Sequence, residues 1–284
     1  MLLTLDKESI GKNLSVHMFH ESIGKKVSGD TVKVLNISNA GTIQISDKDN
    51  NIYLLNPHSI YKSENGKNYA RVSTLKDTLH ITEMNMYNAS KRGNVIDEAI
   101  RIFFSKNISP ALFKDVFNKA LEVENKKNNL STITFSDKFS NDLHNILEIY
   151  KDDFNDKDYT VYSNAKSLSG KIGSRLFAGT VDLLVYDNKN SKWIIIDIKT
   201  STTDRGKAYK DQSTDKWDYV GKDAIQQNAY AELFKQKHGI VVSDIMILPL
   251  TVRATSADNT LYNSISISKE GMYLDVNTSK DIYE

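Results

Sequence analysis

The sequence predicts an α/β protein, a mixed β-sheet core flanked by helices with a small β-rich module in front. Three observations predict it. Residues 31–82 hold short β-branched runs split by polar turns. From about residue 85 apolar residues recur at helical three-four spacing. Between residues 176 and 252, two apolar strand-like runs, a helix and a further apolar run follow one another.

Residues 1–30 read as a lead-in with a short helix over residues 14–23. Strands are expected at 31–37, 42–45 and 52–55, with turns at the polar clusters 46–50 and 63–66. Residues 1–84 are therefore taken as a β-rich accessory module and 85–284 as the domain that carries the chemistry. Residues 94–105 form the first helix. Ser109 and Pro110, an N-cap followed by proline at the first helical position, open the second. Leu112, Phe113, Val116, Phe117, Ala120 and Leu121 give that helix one buried face, and residues 124–129 read as an exposed loop after it. A third helix starts at Ser136, with Phe139, Leu143, Ile146, Leu147 and Tyr150 on one face.

Strands are expected at 160–163, 176–186 and 193–199, the last two joined as a hairpin through the polar residues 187–191. A long polar loop over 201–221, a helix over 222–237 and strands at 241–252 and 264–268 complete the reading.

Composition narrows the function. With 39% hydrophobic and 26% charged residues the chain has material for a soluble core. Lys+Arg 37 against Asp+Glu 36 leaves a net charge of +1, so any nucleic-acid contact must come from a locally polarised cleft. The absence of cysteine excludes disulfides, Cys-ligated zinc and a thiol nucleophile. The first residues meet Asp6 and Lys7 before any signal-peptide length of apolar sequence, and no window approaches the about 20 apolar residues of a membrane span. The expectation is an intracellular, cytoplasmic protein with no membrane partner.

The informative stretch runs from Gly179-Thr-Val-Asp182 to Asp197-Ile-Lys199-Thr-Ser201. Strand side chains alternate, so Asp197 and Lys199 share a face while Ile194, Ile196 and Ile198 take the other. An acid and a base on a buried strand are costly unless paired or metal-bound. Asp182 holds a similar place on the preceding strand, so neighbouring strands would bring the two carboxylates together. Such hard oxygen donors suit Mg²⁺ or Mn²⁺ rather than Zn²⁺, and a nearby lysine suits phosphodiester hydrolysis. Downstream, Gln226 and Tyr230 are four apart and share a helix face.

These pieces, with Gly93-Asn-Val-Ile-Asp97-Glu98 upstream, resemble the RecB-like branch of the PD-(D/E)xK nuclease superfamily in order and spacing over residues 93–230. The resemblance implies a restriction-endonuclease-like fold. It implies Asp182 and Asp197 as metal ligands with the main-chain carbonyl of Ile198 as a third, and Lys199 as the catalytic lysine. Gln226 and Tyr230 would orient the lysine or the DNA backbone. Asp97 stands where the branch carries a histidine ligand, and Asn164 where many members carry a glutamate. The implied activity is a Mg²⁺- or Mn²⁺-dependent DNA nuclease, an exonuclease before an endonuclease, acting on linear or single-stranded ends in recombination, repair or phage DNA processing. The alternative is a nuclease-like domain that binds nucleic acid or serves as a virion component without cleaving. The front module carries no chemistry of its own, and its sequence leaves its role open, a protein partner being one option.

Other signals are weaker. The loop over 203–222 interleaves Arg205, Lys207, Lys210, Lys216 and Lys222 with Tyr209, Trp217 and Tyr219, against Asp204, Asp211, Asp215, Asp218 and the adjoining Asp223; it reads about equally as a solvated loop and as a DNA contact, and its place after Lys199 tips it to substrate guidance. Lys166, Lys171 and Arg175 read equally as a second phosphate-contact patch and as ordinary surface cations. His17, His20 and Glu21 do not follow the zinc-protease order, and no phosphate-binding glycine loop occurs.

Overall fold

A computed structural model describes residues 7–15, 27–55, 61–62, 68–71, 81–82, 84–106, 108–162, 168–202, 218–255, 259–267 and 272–275. The front of the chain forms β1 (Asn13–Ser15), β2 (Thr31–Ile37), β3 (Ile43–Ser46) and β4 (Ile52–Leu55), then β5 (Tyr61–Lys62), β6 (Asn68–Arg71) and β7 (Ile81–Thr82). Strands β1, β2, β3, β4 and β7 pair in that order as an antiparallel sheet. Alternation buries Val32, Val34 and Ile45 on one side. The 46–50 turn is organised by Asp47, whose carboxylate accepts the N–H groups of Ser28, Asp49 and Asn51 and the Tyr53 hydroxyl. The helix expected over 14–23 is corrected where it is described. Leu14 and Ser15 lie in β1, paired with Val32 and Thr31, because ladder pairing with β2 outweighs the weak intrinsic stability of a short helix. Residues 16–23, and with them His17, His20 and Glu21, fall outside the described residues.

Helices α1 (Met84–Ser105), α2 (Pro110–Lys127) and α3 (Phe139–Asp156) follow, with β8 (Thr134–Phe135) between the last two. Ser109 caps α2, its hydroxyl accepting the Leu112 N–H at 3.4 Å. The exposed loop expected over 124–129 is also corrected. Helix α2 runs on to Lys127, and Glu124 is only 6% exposed. Its carboxylate accepts the side-chain amides of Asn94 and Asn128, which makes burial of the charge tolerable. Lys91 of α1, 1% exposed, donates to the carbonyls of Asn128 and Ser131 and fastens the turn after α2.

The rest of the chain forms β9 (Tyr159–Tyr162), β10 (Leu168–Ile172), β11 (Arg175–Gly179), β12 (Leu183–Asp187), β13 (Lys192–Ser201), α4 (Asp218–His238), β14 (Val242–Ala254), β15 (Leu261–Ile267) and β16 (Met272–Asp275). The large sheet has the order β8-β15-β14-β13-β12-β9, with β16 also beside β14. It is mixed, since β13 and β14 are parallel whereas β12 is antiparallel to both β13 and β9. Among the described residues there are four α-helices. Helices α1–α3 cover one face of this sheet over Ile194, Ile196 and Ile198, while α4 covers the other over Leu184 and Ile195. Burial on both faces explains the unbroken apolar runs of β12 and β13. A smaller sheet, β10-β11-β6-β5, joins the front of the chain to this half through parallel β6–β11 pairing.

The single strand expected over 176–186 is in fact two. Strand β11 belongs to the small sheet and β12 to the large one, with the break at residues 180–182. Helix α4 begins at Asp218, four residues before the expected start. Residues 203–217 of the polar loop, and Asn164 and Lys166, fall outside the described residues. No helix among the described residues is long and apolar enough to cross a membrane.

Candidate active site

The β12–β13 hairpin aligns the central pair. Its last ladder pair is Leu183 with Ile196, so Asp182 stands one step beyond, beside Asp197. Here β12 ends and the chain departs for β11, and the edge of β13 is left without a ladder partner. Asp182 fills the gap, its Oδ2 accepting the Ile198 N–H at 2.9 Å. The N–H and C=O of a strand residue leave the same edge, so the Ile198 carbonyl is aimed to the Asp182 side as well. The sequence motif thus closes on itself, with the strand break as its structural cause.

Asp197 is 3% exposed. The Lys199 ammonium lies 2.9 Å from its Oδ1 and 2.6 Å from its Oδ2. Oδ2 nevertheless receives no directed hydrogen bond. The Asp182 and Asp197 carboxyl groups are within hydrogen-bonding range of each other. Desolvation, then the charge of Asp197, pushes Asp182 up to about 7, against the pull of Lys199 and the Ile198 N–H.

Helix α1 delivers a third acid. Desolvation and the charges of Asp182 and Asp197 hold the Asp97 carboxyl well above the usual range, while Lys199 and Arg101 oppose them. Asp97 therefore lies in the same electrostatic field as the pair. One turn earlier, buried Arg92 donates from Nη2 to the Thr200 carbonyl at 3.1 Å and to its hydroxyl at 3.3 Å, and lies over the Tyr262 ring at 5.3 Å. This contact joins α1 to the C-terminal end of β13. Sequence reasoning missed Arg92, because Lys91-Arg92 reads as a surface basic pair. A Cβ on Gly93 would meet Thr200 Oγ1 at 3.9 Å, an ordinary contact, so packing does not demand that glycine.

Helix α4 closes the site from the sheet's other face. Gln226 Nε2 donates to the Tyr230 hydroxyl at 3.1 Å. Burial, with Asp197 and Asp182 adding to it, pushes the Tyr230 hydroxyl up to about 12, against Gln226 and Lys199, so it keeps its proton at neutral pH. Gly179 is required here, since a Cβ would sit 2.5 Å from Tyr230 Cε1.

Asp97, Asp182, Asp197, Lys199 and Tyr230 thus share one electrostatic neighbourhood, with Gln226 bonded to Tyr230. Among the described residues no three carboxylate, imidazole or thiolate groups close into one metal-binding cluster. The donors present still suit a hard divalent cation. Two carboxyl groups are within hydrogen-bonding range, one buried carboxylate oxygen faces the Lys199 ammonium without a directed hydrogen bond, and three acids outnumber that lysine.

Compared with family models, with curated proteins and with solved structures, the chain matches none.

Proposed function

We propose that the chain is a metal-dependent deoxyribonuclease of the RecB-like type, hydrolysing phosphodiester bonds from DNA ends. The observation that supports this most is the contact of Asp182 and Asp197 beside Lys199 at the end of two adjacent strands. Asp182, Asp197 and the Ile198 carbonyl would hold Mg²⁺ or Mn²⁺, with Asp97 as a further acid of the site. When bound, the ion supplies charge neutralisation at phosphorus and a more acidic water. Lys199, paired with Asp197, offers a cation to the developing phosphorane charge. Tyr230, protonated and held by Gln226, offers a hydroxyl donor to a substrate oxygen.

A second reading has its own observation. Lys199 already occupies Asp197, and among the described residues no third carboxylate, imidazole or thiolate closes with the pair into one cluster. A nuclease-like domain that binds nucleic acid or builds a virion without cutting would look the same.

Linear and covalently closed DNA are incubated with Mg²⁺, Mn²⁺ or EDTA, beside Asp182→Ala and Lys199→Ala. Cleavage of linear DNA alone, lost with EDTA and in both variants, is the expected outcome. Binding without cleavage in any metal would overturn the nuclease reading, and discrete fragments from closed circles would replace exonuclease with endonuclease.

A further inference from the structure

Beside the carboxylates the core holds a buried amide that is bonded to nothing. Gln227 is 1% exposed, and among the described residues neither its Oε1 nor its Nε2 has a hydrogen-bond partner. Burying an amide in this way costs free energy, and native proteins seldom leave one idle. Its neighbour Gln226 is already bonded to Tyr230, so the two glutamines have different tasks.

Helix phase shows what Gln227 faces. Strands β13 and β14 are parallel, so α4, which joins them, runs back along β13. Near its C-terminal end Phe234 lies 6.2 Å, ring to ring, from Trp193 at the start of β13. Gln227 stands two turns before Phe234 and points within about 20° of the same direction. Those turns span about 10 Å, and the stretch from Trp193 to Asp197 spans about 13 Å. Gln227 therefore lies over β13 at the level of Asp197 and Lys199. Tyr230, one turn further along α4, feels the charges of both. On β14 the register partners of Ile195, Asp197 and Lys199 are Ile245, Ile247 and Pro249, whose side chains offer an amide no hydrogen bond. The polar side chains on this stretch of the two strands are Asp197 and Lys199.

These two hold each other, with Lys199 Nζ 2.6 Å from Asp197 Oδ2. A divalent cation on Asp182 and Asp197 would compete with the ammonium for that oxygen. Lys199, 20% exposed by side chain, would then be a largely buried cation short of an acceptor, which is costly. Gln227 Oε1 is an acceptor in reserve.

We propose that Gln227 is a positioning residue, which accepts the Lys199 ammonium when a divalent cation occupies Asp182 and Asp197 and so holds the lysine ready for the phosphate. The inference rests on the nuclease reading, and deepens it by naming the lysine's second partner.

The test is Mn²⁺ binding to the full chain, read by calorimetry without DNA. Gln227→Leu keeps an apolar side chain of similar bulk and removes the amide. In EDTA its melting temperature equals or exceeds that of wild type, because no bond is lost. Its Mn²⁺ affinity falls about tenfold, the size of one hydrogen bond to a charged group. In a Lys199→Met background there is no ammonium to receive, and Gln227→Leu leaves Mn²⁺ affinity unchanged. Where Lys199→Met does not fold, Lys199→Gln replaces it. On linear DNA, Gln227→Leu lowers kcat and leaves KM in place. Unchanged Mn²⁺ affinity in Gln227→Leu, or an equal fall with and without Lys199, overturns the inference and leaves the nuclease reading standing if wild type binds Mn²⁺ and cuts. A lower melting temperature in EDTA also overturns it, since the amide would then be bonded before any cation arrives. Wild type that neither binds Mn²⁺ nor cuts DNA overturns the nuclease reading with it.

Discussion

Asp182 Oδ2 accepts the Ile198 N–H at 2.9 Å, which makes a single carboxylate both a piece of backbone architecture and the acid nearest Asp197. The two roles separate by substitution. Asp182→Asn keeps an oxygen for the Ile198 N–H and removes the charge, so the fold is retained while Mn²⁺ binding and cleavage are lost. Asp182→Ala leaves that N–H without its acceptor and costs about 1–3 kcal/mol more in stability. Thermal unfolding together with calorimetric Mn²⁺ titration of the two variants checks both. Equal melting temperatures for Asn and Ala would remove the architectural role.

The same carboxyl gives the metal-free protein a pH dependence of definite sign. Unfolded, Asp182 releases its proton near the ordinary 3.8, and folded only near 7. Between those values the folded state binds the extra proton, so the contribution is full below 3.8 and is lost as pH rises through about 7. Asp97 is raised too and acts in the same direction. Asp47 and Asp187 act oppositely at lower pH. Desolvation raises them, but the hydrogen bonds from Asn51 and Asn190 outweigh it and hold them below the usual range. The informative quantity is therefore the melting temperature of Asp182→Asn minus that of wild type in EDTA. It grows from pH 4 to pH 8, and Mn²⁺ shrinks it at pH 8 by stabilising wild type alone. A difference that stays flat with pH would contradict the raised Asp182.

Lys199 is 20% exposed and Asp197 4% by side chain, so their pair is mostly out of water. Removing one member strands the other. Lys199→Met is expected to cost about 3 kcal/mol in the metal-free protein, and to lower kcat about 10²-fold or more through the lost cation. Adding Asp197→Asn to it recovers most of the stability and none of the activity. Denaturant unfolding of the two singles and the double forms the cycle. Additive costs would show that the two side chains do not depend on each other.

The legible part of this fold was what alternation and spacing encode. The period of two along Trp193 to Lys199 placed Asp197 and Lys199 on one face, and the polar residues 187–191 marked the hairpin that sets Asp182 beside them. The four-residue spacing of Gln226 and Tyr230 foretold a contact that exists. The strand break after Gly179 was not legible, because apolar residues flank it on both sides and the change of sheet is a tertiary event. Glu124 was misread as exposed for a related reason, since one of the two asparagines that satisfy it, Asn94, comes from a separate helix. Arg92 carries no local signal at all. Its partner, Thr200, is distant in sequence, and only the packing of α1 brings the two close.

Gly179 offers the sharpest packing test of the site. A Cβ there would stand 2.5 Å from Cε1 and 2.9 Å from the hydroxyl oxygen of Tyr230. The obstacle is a buried ring held by Gln226, not the loose end of a flexible chain, so either the ring or β11 has to move. Gly179→Ala is expected to destabilise the protein by about 1–3 kcal/mol, the usual cost of overpacking, and to lower activity by displacing the Tyr230 hydroxyl. Tyr230→Phe leaves the ring in place and gives no relief. Tyr230→Ala removes the ring, so in the double variant Gly179→Ala adds almost nothing to the loss. Melting temperatures of the singles and doubles read the coupling, and a Gly179→Ala cost that persists in the Tyr230→Ala background would place the strain in the β11 backbone instead.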